Sequence, residues 1–131
     1  MKNIDEARNW LRRARSSHAH SGSGASLKNI LLEDLCYDAQ QAAEKALKAL
    51  CIGATGAYPK THDISHLMDL LEKKRLKIPE KVKKAKGLTL YAVQTRYPGD
   101  YEPVTKKEYK DAVNTAGEVI KWASKLLKDP G

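Results

Sequence analysis

A chain of 131 residues with a formal charge of +8 and 41% hydrophobic residues is long enough for one domain with a real core and too short for two. That hydrophobic content excludes a wholly disordered chain, and with no long apolar run the sequence gives no membrane span. Having no Phe, two Trp and six Tyr, the core must be built from Leu, Ile, Val and Ala, which suits helices.

Ile4, Ala7, Leu11 and Ala14 recur at three- and four-residue spacing and predict a first helix over 4–17, with Trp10 beside the stripe. Residues 16–27, rich in Ser, His and Gly, read as a flexible loop. A second helix is predicted over 28–51. Its stripe is Leu32, Leu35, Cys36, Ala39, Ala43, Ala46, Leu47 and Leu50, and Gly53 follows as a stop. Thr61 reads as the N-cap of a third helix carrying Ile64, Leu67, Met68 and Leu71, with Asp63 in its first turn. Pro79 suits the first position of a fourth, which carries Val82, Ala85, Thr89 and Ala92 and is weakened by Gly87. Two prolines, Pro98 and Pro103, then break the pattern. Thr105 and Glu108 form a capping box for the last helix, which carries Tyr109, Ala112, Val113, Ala116, Val119, Ile120, Ala123, Leu126 and Leu127. No segment shows the alternation of a strand. The expectation is an all-α, up-and-down bundle of four long helices plus a short fifth, in a single domain spanning 1–131.

The charge is concentrated. From Lys73 to Lys86 eight basic residues stand against one acid, and Arg8, Arg12, Arg13 and Arg15 form a second group. Such clusters favour polyanions. Cys36 and Cys51, 15 residues apart on one helix, would lie about 22 Å apart, too far for a disulfide. With no signal segment and no required disulfide, a reducing, cytoplasmic location is expected.

Four segments, in order, resemble the HEPN family of small helical bundles: Trp10-Leu11-Arg12-Arg13-Ala14, the run from Ala39 to Leu50, Pro59-Lys60-Thr61-His62-Asp63-Ile64, and Arg96-Tyr97-Pro98 followed by Thr105 and the last helix. The resemblance implies a homodimer, often working beside a small nucleotidyltransferase in a two-component, toxin–antitoxin-like system. It also implies one of two activities: binding of nucleotide or RNA, or metal-independent ribonuclease action as a toxin. Ribonuclease members use an Arg, four to six intervening residues and a His. Here the Arg is Arg96, and Tyr101 stands after four residues where His belongs. The Tyr that some toxins carry two positions further on falls at Pro103.

The candidate site residues follow. Arg96 can hold a phosphate by paired hydrogen bonds, with Tyr97 beside it, or it can pin its own loop through Asp100 or Glu102. Arg96 and Tyr101 are the catalytic candidates if RNA is cleaved. A tyrosine, ordinarily titrating near 10, is a poor base for a ribose hydroxyl at neutral pH, so binding is the preferred reading. His62, at a helix start, is either a capping residue or a ligand contact. Lys81 and Lys84 represent the basic stretch as phosphate contacts, against the reading of a plain solvated face. His62 and His66 lie one turn apart, but no further ligand sits at a telling spacing, so neither metal nor cofactor is expected. Gly53-Ala54-Thr55-Gly56 follows a helix and lacks the Lys of a phosphate loop.

Overall fold

The computed structural model describes residues 1–26, 28–94 and 103–131. Among them every regular element is helical: α1 (Ile4–Ser23), α2 (Leu32–Thr55), α3 (Ile64–Lys73), α4 (Glu80–Lys83), α5 (Thr89–Gln94) and α6 (Lys106–Leu127). A 3₁₀ turn over Lys84–Leu88 joins α4 to α5, so that 80–94 forms the irregular fourth member of the expected bundle. The all-α class stands.

Contacts between helix ends set the topology. Arg8 of α1 donates to the Leu127 carbonyl at the end of α6, while His18 reaches the Val113 carbonyl nearer its start at 3.0 Å. Lys45 of α2 donates to Ser17 at 2.7 Å, and the Lys2 amide donates to the Gly53 carbonyl at 2.8 Å. Thus α1 runs antiparallel to both α2 and α6. The Val104 amide, just before α6, donates to Glu33 at the start of α2, so α2 and α6 run parallel.

The flexible loop expected over 16–27 is not a loop over its first two thirds. Helix α1 continues through Ser23, and a 3₁₀ turn covers Gly24–Ser26. Composition favours disorder here, but tertiary partners override it. Ser21 is fully buried, and the Tyr109 hydroxyl donates to the Ser21 and Gly22 carbonyls at 2.5 and 3.2 Å. Burial keeps that phenol protonated, raising its pKa. Gly117 makes room for this packing, since a Cβ there would stand 3.2 Å from His18 Nε2.

Other boundaries shift for local reasons. Asn29, at φ +65°, delays the start of α2 to Leu32 rather than Lys28. The helix also passes through Gly53 and stops at Gly56, whose φ of +82° lets its amide bond back to the Ile52 carbonyl. Asp63, not Thr61, caps α3, accepting from the Ser65 amide at 3.0 Å. Thr61 instead accepts from the Asp63 amide at 3.1 Å. Pro79 precedes α4 as its cap residue rather than opening it. The capping box of Thr105 and Glu108 forms as its sequence implies.

Helix α2 is the axis of the molecule. Its stripe was expected on one side, yet burial runs from Leu35 to Gly53 over nearly the whole circumference, because α1, α3, α5 and α6 all pack against it. Cys36 and Cys51 are buried and free on it, as the spacing requires. Gly87 lies in the 3₁₀ turn with open space where a Cβ would stand. Gly87→Ala is therefore expected to stabilise the domain by about 0.4–1 kcal/mol by restricting the unfolded chain. Thermal melting checks this, and a lowered midpoint would refute it.

Candidate functional site

Within the buried length of α2, three polar residues stand at four-residue intervals: Gln40, Glu44 and Lys48, exposed by only 2, 3 and 3%. One turn separates each from the next, so they form a single row. The row opens into a groove of about 330 Å³ lined by Tyr37, Gln40, Gln41, Glu44, His62 and Ala92. Gln41 donates its amide to the Gln40 carbonyl oxygen at 2.9 Å, which fixes the amide orientation on that wall.

His62 comes from the segment between α2 and α3 and closes the groove. Its Nδ1 lies 2.9 Å from Lys48 Nζ and 3.3 Å from Glu44 Oε1, and the same lysine and glutamate stand 3.9 Å apart. A lysine ammonium can only donate. Neutral His62 therefore accepts at Nδ1 and carries its proton on Nε2. When protonated, Nδ1–H turns to the Glu44 carboxylate instead. The ring is 82% exposed, so Nε2–H is a donor available to a ligand. In this tautomer the His62 ring presents a donor, Nε2–H, at the open side of the groove. Among the described residues no three His, Cys, Asp or Glu side chains converge to hold an ion.

Lys81 and Lys84 line a different groove, of about 360 Å³, between α4 and α6. There they face Asp111 and Glu118, with Asn114 and Thr115 alongside. Two carboxylates opposite two ammonium groups make a wall of mixed charge. The structure thus separates the lysine pair from His62. Arg96, Tyr97 and Tyr101 lie outside the described residues, as do Asp100 and Glu102.

The sequence and the fold agree with a known family. A model of the HEPN domain matches residues 7–126. The chain belongs to the HEPN domain family. Among solved structures it is similar to the crystal structure of an archaeal HEPN homologue. The two are 24% identical with a TM-score of 0.71, and the match covers 97% of this chain and 99% of that one. That likeness is one of fold. No curated protein matches the chain.

For a HEPN domain read from sequence, the polar row on α2 was the site feature that went unrecognised. Its signal was present: Gln40, Glu44 and Lys48 share one face of a stretch, 39–51, whose other residues apart from Gln41 and Lys45 are Ala, Leu or Cys. Periodicity treats such residues as the solvated side of an amphipathic helix. Only the knowledge that this HEPN helix is enclosed over nearly its whole circumference turns them into buried polar groups that require partners.

Proposed function

We propose that this HEPN domain is a homodimeric protein that binds nucleotide or RNA, and that it works beside a small nucleotidyltransferase in a two-component, toxin–antitoxin-like system. Arg96, with Tyr97, holds a phosphate. His62 supplies a further donor through Nε2–H, over a groove that Gln40 and Glu44 of the α2 row line. The observation that carries this reading is the groove of Gln40, Glu44 and His62, whose rim includes Ala92, four residues before Arg96 in sequence. The donor tautomer of His62 and the Tyr at position 101 favour binding over cleavage. Lys81 and Lys84 contribute to the long-range attraction of a polyanion rather than to direct contact, since acids face them across their groove.

Calorimetric titration with ATP and with RNA tests the site. Charge-assisted hydrogen bonds of the kind an arginine makes contribute about 1.5–3 kcal/mol, so Arg96→Ala is expected to weaken binding by about 10- to 150-fold. Unchanged affinity would sink the assignment. Incubation with structured RNA in EDTA is expected to leave the RNA intact. Cleavage that disappears in Arg96→Ala would replace binding by a metal-independent ribonuclease toxin. Sedimentation is expected to show a dimer at micromolar concentration.

A further inference from the structure

Next to the groove, and continuous with it through Lys48, lies a group of aromatic and cationic side chains. Trp10 and Arg13 stand one turn apart on α1, where i and i+3 positions are neighbours. The guanidinium of Arg13 lies 4.9 Å from the Trp10 ring centroid. Tyr58, from the segment after α2, packs on Trp10 with centroids 5.3 Å apart and planes inclined at 59°. Lys48 Nζ is 5.6 Å from the Trp10 ring and 5.8 Å from that of Tyr58, while its other contacts are His62 and Glu44.

Trp10 packs against the core and Lys48 is buried, but the outer members of the group have no such role. Tyr58 is 50% exposed and stands outside the hydrophobic core. Arg12 and Arg13 are exposed, and among the described residues no carboxylate lies within ion-pairing distance of either. Arg8 and Arg15 of the same helix are instead tied to the end of α6. An exposed tyrosine ring, seated on a partly buried tryptophan and bordered by cations that have no carboxylate partner among the described residues, has the chemistry that single-stranded nucleic acid requires: every base offers a face to stack, and every nucleotide brings a phosphate.

We propose that Trp10, Tyr58 and Arg13 form a stacking platform for an unpaired base of single-stranded RNA, with Arg12 and Arg13 meeting the adjoining phosphate. Through Lys48 the platform borders the His62 groove, so one strand occupies both. This rests on the nucleotide- or RNA-binding reading above and gives it a substrate class.

The test uses the full chain with Trp122→Phe, which leaves Trp10 as the single tryptophan reporter. It is titrated in EDTA with a fluorescein-labelled, unstructured oligouridine of about 12 nucleotides, within the usual site size of such proteins. Binding is expected to quench Trp10 and to raise the anisotropy of the label with the same midpoint. In the otherwise unaltered chain, followed by anisotropy alone, Tyr58→Ala is expected to weaken binding by about 5- to 150-fold, the range for loss of one stacked base. Tyr58→Phe, which keeps the ring, is expected to bind normally. RNA binding with Trp10 silent and Tyr58→Ala unaffected overturns the platform and leaves the Arg96 site standing. Binding lost in Tyr58→Ala but kept in Arg96→Ala does the reverse. Equal affinity for ATP, or for duplex RNA of the same length, overturns the assignment to single-stranded RNA. Absence of any RNA binding removes the platform, while ATP binding that depends on Arg96 would still support the groove.

Discussion

Replacing Lys48 with Met is expected to destabilise the domain by about 3–5 kcal/mol, the usual cost of breaking a buried ion pair from one side. The Glu44 and Lys48 side chains are each 4% exposed. Without the ammonium, the Glu44 carboxylate keeps its desolvation penalty and loses a compensating charge. Replacing both partners, Glu44→Gln with Lys48→Met, leaves no uncompensated charge and is expected to cost less than Lys48→Met alone. Urea midpoints at constant m measure all three. A cost below about 0.5 kcal/mol for Lys48→Met, the range of ordinary surface changes, would show that the pair does not act as a buried unit.

Raising the pH above 9 is expected to have an effect of similar size. Burial pushes the Cys51 thiol from its ordinary 9.0 up to about 12. Burial does the same to Cys36, also to about 12. The Glu108 and Glu33 carboxylates add to that shift, and the hydrogen bond with Tyr91 opposes it. Tyr91 is raised from 10.0 to about 12, first by burial and then by Cys36 and Glu108. All three hold their protons in the folded chain after the unfolded chain has released them. Above pH 9 the unfolded state therefore binds fewer protons, and stability falls as pH rises. The contribution is fully present below pH 9 and is lost by about pH 12. Each group adds up to ~1.4 kcal/mol per pH unit across that window, with Cys36 and Tyr91 acting as a pair because they touch. Cys51→Ala removes one group. Its stability, read from urea midpoints in reductant between pH 9 and 11, is expected to fall less steeply than that of the parent chain. Identical slopes would show that the buried thiol is not linked to folding.

The sequence by itself determined the helical class and the packing letters. Leu11, Leu35, Leu47, Leu50, Leu67 and Val119, chosen by three- and four-residue spacing, are all buried. The Thr105–Glu108 box closed as its spacing requires, and the separation of Cys36 and Cys51 excluded their pairing. These features depend on residues within a turn or two of one another, a range that helix periodicity and capping chemistry cover. Tertiary structure decided the rest. Residues 16–23 are helical because Lys45, Tyr109 and Val113, 28 to 95 positions away, bond to them. A local window reads only the Ser, His and Gly. Gln40, Glu44 and Lys48 belong to the candidate site because four other helices enclose α2. Trp10 meets Tyr58, and His62 meets Lys48, across elements that no spacing rule connects. Arg96 was marked by resemblance to other HEPN chains, whereas the His62 groove was legible only once the polar row on α2 was seen to be buried, since burial is what obliges a charge to find a partner.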